Sequence, residues 1–73
     1  MSGYRVIKIE ENEYRRTYEV HHEHRWWTAH HSLMADEWLI TSANLVRTVN
    51  PDTWRGRRII KECLEYEKRQ RRN

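Results

Sequence analysis

The stretch LMADEWLITSANLVRTV, residues 33–49, decides the fold, because its apolar residues can be read at either helical or strand spacing. At 100° per residue Met34, Ala35, Trp38, Leu39, Ser42, Ala43, Leu45, Val46 and Val49 fall on one half of a helical wheel. Asp36, Glu37, Thr41, Asn44, Arg47 and Thr48 take the other half, and Ile40 alone among the aliphatics sits with them. With Ser32 as N-cap and Asp36 and Glu37 near the positive end of the dipole, the pattern predicts a helix over 33–49. The competing reading takes Trp38 to Thr41 and Leu45 to Val49 as short strands around Ser42-Ala43-Asn44, and β-branching supports it.

Downstream, Asn50-Pro51-Asp52 stops one element and starts another. Pro51 cannot continue a helix but suits the first position of the next one after an Asn50 cap. A second helix is expected over 51–69, with Ile59, Ile60, Cys63, Leu64 and Tyr66 as its apolar stripe. Arg57, Arg58, Lys61, Glu62, Glu65, Lys68 and Arg69 share the opposite face. Trp54 falls off the stripe, which calls for either a bend near Gly56 or a tryptophan that projects from a loop toward a partner. Residues 70–73 read as a basic tail.

Upstream, Tyr4, Val6 and Lys8 alternate with Arg5, Ile7 and Ile9, and after the polar residues 10–13 a second alternating run begins at Tyr14. It puts Tyr14, Arg16, Tyr18, Val20 and His22 on one side. Together the runs predict a hairpin over 4–25, which is not stable alone in water and must pack on something else or on a copy of itself. The expected fold class is therefore α+β: a single domain over 1–73 with an N-terminal β-hairpin followed by two amphipathic α-helices. A chain of 73 residues buries only about 60% of its unfolded surface, and Cys63 is its one cysteine, so an internal disulfide cannot help. A homo-oligomer is the expected remedy. The lone thiol suits a reducing, cytoplasmic setting, and no apolar run is long enough for a membrane span or a signal peptide.

Charge is unevenly spread. Residues 1–49 hold six basic and seven acidic side chains, whereas the last twenty-four positions hold eight basic and four acidic ones. A clustered positive field attracts polyanions or acidic protein surfaces. Docking onto nucleic acid is accordingly expected through Arg55, Arg57, Arg58, Lys61, Lys68 and Arg69, with Trp54 or Trp27 nearby to stack. The adjacent Trp26 and Trp27 face opposite ways on an extended chain, so one fills the core and the other is left partly covered. The alternative is a small inhibitor of the phage or mobile-element type, which would occupy a host protein machine through a tryptophan anchor.

Five histidines lie between His21 and His31, and on a strand His22 and His24 would point to one side as a pair of metal ligands. No spacing here matches an established zinc pattern, so no metal and no cofactor are expected. Two glycines cannot build a phosphate loop, there is no Gly-x-Ser-x-Gly, and a core this small leaves little depth for a water-excluding pocket. The expectation is a binding module, not an enzyme.

Overall fold

A computed structural model describes residues 3–43 and 47–71 of the chain. Its elements are β1 (Tyr4–Glu11), β2 (Arg15–His22), β3 (Arg25–Ser32), β4 (Glu37–Ser42), β5 (Thr48–Val49) and α1 (Trp54–Gln70). The strands form one antiparallel sheet in chain order, and α1 lies across one face of it over β1 and β2. The class is α+β, but the architecture corrects the expected hairpin and two helices. Among the described residues there is one helix, and the segment 33–49 contributes strands.

Ile40 explains the correction. It is the aliphatic residue that fell off the helical stripe, and it is fully buried, whereas Leu39 from the middle of that stripe is 53% exposed. Alternation governs here: Trp38 and Ile40 face the helix side with Ala29 and His31, while Leu39 and Thr41 face away with His30 and Thr28. A turn over Leu33–Asp36 replaces the expected first helical turn, and Asp36 takes a left-handed conformation with φ 52°. The short-strand reading of Trp38–Thr41 matches β4. That of Leu45–Val49 survives at Thr48–Val49, its Leu45 and Val46 lying outside the described residues.

The first hairpin forms as its alternation predicts. Between β1 and β2 the Asn12 side chain accepts from the backbone N–H groups of Tyr14 and Arg15, at 2.8 and 2.9 Å, which closes the turn. The second hairpin turns at Glu23–His24, with Glu23 at φ 58°. The core is a sheet of side chains from Tyr18, Val20, Trp27, Ala29 and Ile40 under Ile59 and Cys63 of the helix.

α1 begins three residues later than expected and runs to Gln70, with Arg71 as C-cap. Arg72 and Asn73 of the expected tail lie outside the described residues. Thr53 is the N-cap, its hydroxyl oxygen accepting from the Gly56 N–H at 3.1 Å. Asn50 and Pro51 instead make the turn into the helix, where the Asn50 carbonyl accepts from the Thr53 N–H at 3.1 Å. Gly56 packs directly on this turn: a Cβ there would run into the Asn50 carbonyl oxygen and lie 2.8 Å from the Pro51 Cα. Trp54 is the first residue of the helix and does not project from a loop. Glycine lets the first turn of the helix sit on the chain that leads into it.

Candidate functional site

The close seat of Gly56 delivers Trp54 and Arg55 to one end of the sheet, where β1 starts, β2 ends and β3 starts. The Arg55 guanidinium donates to the Tyr4 hydroxyl at 3.1 Å and lies 3.5 Å from His22 Nδ1. It also sits 5.2 Å from the ring centre of Trp27 and 5.3 Å from that of Trp54. Tyr4 stacks on His22 with ring centres 4.0 Å apart and planes 4° from parallel. Arg58 reaches the same Tyr4 ring at 4.8 Å while donating to Glu62 at 3.0 Å. Arg55 makes no ion pair with a carboxylate among the described residues; aromatic rings and the Tyr4 hydroxyl hold it instead.

Of the two tryptophans at the centre of the chain, Trp27 is the core residue at 5% exposure and Trp26 the half-exposed one. Trp27 therefore supports Arg55 from below and keeps little surface of its own for a partner. Trp54 is 68% exposed at the first position of the helix, with one face toward Arg55.

Arg57, Lys61 and Lys68 continue from this end along one exposed flank of α1. None of the three makes an ion pair among the described residues. With Ile60, Leu64 and Glu65 they line a shallow groove beside the helix. Leu64, expected in the apolar stripe, is half exposed there, and Glu67 takes a buried place instead. Arg69 is exposed but lies toward the other flank, near the helix end. The first turn of α1 carries no acidic residue, so its dipole adds to the positive field around Arg55, Arg57 and Arg58.

The far end of the helix is organised differently. Glu67 accepts from the Tyr18 hydroxyl at 3.0 Å and pairs with Lys8 at 2.9 Å; Lys8 and Arg16 both pair with Glu11, at 2.9 and 2.7 Å. Burial works to raise the Glu67 carboxyl, but the hydrogen bonds from Lys8 and Tyr18 outweigh it and hold the group below its usual range. Lys8 is held up, first by its bond to Glu67 and then by that to Glu11. The Tyr18 phenol is pushed up by burial and by Glu67.

The histidines disperse. The turn at Glu23–His24 takes His24 off the strand, so it does not stand beside His22 as a second ligand. His21 stacks on Trp26 at 4.4 Å and meets Glu19 at 2.6 Å. His31 stacks on Trp38 at 4.1 Å with Nε2 2.8 Å from Asp36, and His30 lies 3.1 Å from the Thr17 hydroxyl. Among the described residues no three His, Cys, Asp or Glu side chains gather where they could hold an ion. Cys63 is buried in the core, and burial pushes its thiol up to about 12, away from the reactive thiolate. No helix among the described residues is long and apolar enough to cross a membrane.

Searches of known protein families, of curated proteins and of solved structures found no match to this chain.

Proposed function

We propose that this chain is a non-enzymatic binding module that holds single-stranded nucleic acid along the exposed flank of α1. Trp54 stacks a base, and Arg57, Lys61 and Lys68 meet the backbone. The observation that carries this reading is the juxtaposition of a two-thirds exposed tryptophan with three lysine and arginine side chains that make no ion pair among the described residues, where Glu65 is the one carboxylate lining the same groove. A base presents a π-face whatever its sequence, so a ring of this kind grips single strands without reading them. Arg55, fixed between Trp54 and Trp27, gives the stacking ring a rigid cationic backing.

The test is anisotropy of labelled single strands and duplexes. Neutralising about three phosphates predicts roughly a 20-fold loss of affinity between about 50 and 200 mM salt for a single strand. Reversing Arg57, Lys61 and Lys68 to Glu together is expected to abolish binding. Tight binding that ignores salt, or that survives this reversal, overturns the reading; equal affinity for duplex and single strand removes the role given to Trp54.

One observation favours the inhibitor alternative. Leu64 lies half exposed with Ile60 in the groove framed by Arg57, Lys61, Lys68 and Glu65, an apolar floor with a mostly basic rim. That suits an acidic amphipathic segment of a protein partner. Leu64→Ser would then cost more affinity than any single charge, whereas strand binding is expected to be nearly indifferent to it.

A further inference from the structure

The sheet face turned away from α1 has no element of the chain over it among the described residues. Its middle row runs Ile7, Glu19, Thr28, Thr41 and Thr48 from β1 to β5, so its centre is free of long charged side chains apart from Glu19, which His21 engages. Ile7 and Trp26 are each 52% exposed there, matching Leu39 nearby. Such a face either stays wet at the cost of these side chains or is covered.

We propose that a second copy of this chain covers it, in a homodimer whose two sheets cross. Three observations select this occupant. The first is charge: the basic flank of α1 lies on the opposite face, so two copies can meet here without opposing their excess positive charge. The second is the placement of the charges on the face itself. Arg15 pairs internally with Glu10 at 3.2 Å, but Arg5 and Glu37 make no ion pair among the described residues. They stand at diagonally opposite corners, Arg5 beside His21 at the start of β1 and Glu37 beside Ser32 at the start of β4. A two-fold axis along the other diagonal sets each Arg5 against the partner's Glu37, twice, with the strands crossing at about 90°. The same operation brings Trp26 toward the partner's Leu39.

The third is size. The molecule measures 32 × 29 × 20 Å, and its broad side offers about the 800 Å² per partner of a standard interface. A small domain with a one-sided core gains most from closing its open side. This inference stands apart from the nucleic-acid reading and does not need it. If both hold, the dimer presents two basic helices on its outer surfaces.

Sedimentation equilibrium with light scattering tests it. The native chain is expected to run as a dimer at micromolar concentration. Thr28→Arg, at the centre of the face, and Leu39→Arg are each expected to give a monomer with unchanged far-ultraviolet circular dichroism. Arg5→Glu and Glu37→Arg alone are each expected to weaken the dimer roughly tenfold, and the two together to recover most of that loss. A native monomer at high micromolar concentration overturns the inference, as does a dimer that folded Thr28→Arg leaves intact. A double charge swap that fails to recover overturns the proposed pairing of Arg5 with the partner's Glu37.

Discussion

Arg55 at the start of α1 and the pair Lys8 and Arg16 near its end are held in opposite ways, though Arg58 near the start also has a carboxylate partner in Glu62. At the C-terminal end Lys8 and Arg16 are met by Glu11 and Glu67, and the charges cancel where they stand. At the N-terminal end Arg55 is held by Trp27, Trp54, the Tyr4 hydroxyl and His22, none of which carries a negative charge. A carboxylate partner fixes a cation and hides it from a polyanion; an aromatic partner fixes it and leaves its field outside. The difference teaches that counting basic residues does not show where positive charge is left without a carboxylate. What the cations rest on does.

The largest expected effect tests how the N-terminal end is built. Gly56→Ala is expected to destabilise by about 3 kcal/mol in denaturant titration, although alanine is the better helix former, because its Cβ would meet the backbone of Asn50 and Pro51. A neutral or stabilising result would mean that the turn before α1 yields easily and that Arg55 is not rigidly seated. Next comes the C-terminal end. Glu67→Leu is expected to cost about 2 kcal/mol, since the buried Tyr18 hydroxyl loses its acceptor and Lys8 one of its two carboxylates. Glu67→Gln, which keeps an oxygen for Tyr18, is expected to cost about half as much. Neither is expected to change nucleic-acid affinity.

The same network sets a pH dependence. The Glu67 carboxyl is lower in the folded chain than in the unfolded one, so its stabilisation is present above the unfolded value near 4.3 and is lost as pH falls through the folded value. Lys8 is raised, so its share is present below about 10.4 and is lost as pH rises beyond that. Melting temperatures from acid to alkaline pH are expected to sag at both extremes. Glu67→Gln is expected to flatten the acid limb; an unchanged acid limb would show that the carboxylate carries no such linkage.

Much of this was legible in the sequence where local pattern and final environment agree. Alternation of side chains and β-branching marked the hairpin of β1 and β2, and the spacing of Ile59 and Cys63 marked α1. Local pattern failed between the two. Small residues such as Ser42 and Ala43 fill a helical stripe as readily as a strand face, and β-branching alone supported the strand period, to which the misfit of Ile40 on the helical wheel belongs. β3 hides its inward face behind a histidine, since His31 is buried next to Trp38 and looks polar in a one-dimensional reading. At the candidate site the cations and Trp54 could be read from composition, but their supports could not. Tyr4 and His22 stand 51 and 33 residues from Arg55, and Glu67 was read past because nothing near it in sequence announces Lys8.

Smaller effects sharpen the comparison at Arg55 and Trp54. Arg55→Ala is expected to cost about 1 kcal/mol of stability through lost stacking on two rings, and Arg55→Lys about half that, because a compact ammonium keeps the charge but not the planar contact. Trp54→Ala is the finest probe. Its ring is mostly in solvent, so stability is expected to move by at most about 0.5 kcal/mol. Affinity for a single strand is expected to fall about tenfold, the value of one lost base stack. A residue that contributes little to its own fold and much to binding is what an exposed tryptophan on a cationic backing implies. If instead Trp54→Ala lowers the melting point as much as Arg55→Ala and leaves binding alone, the ring exists to shield Arg55. The N-terminal end of α1 would then be as structural as the C-terminal one, and the distinction between them would rest on chemistry without function.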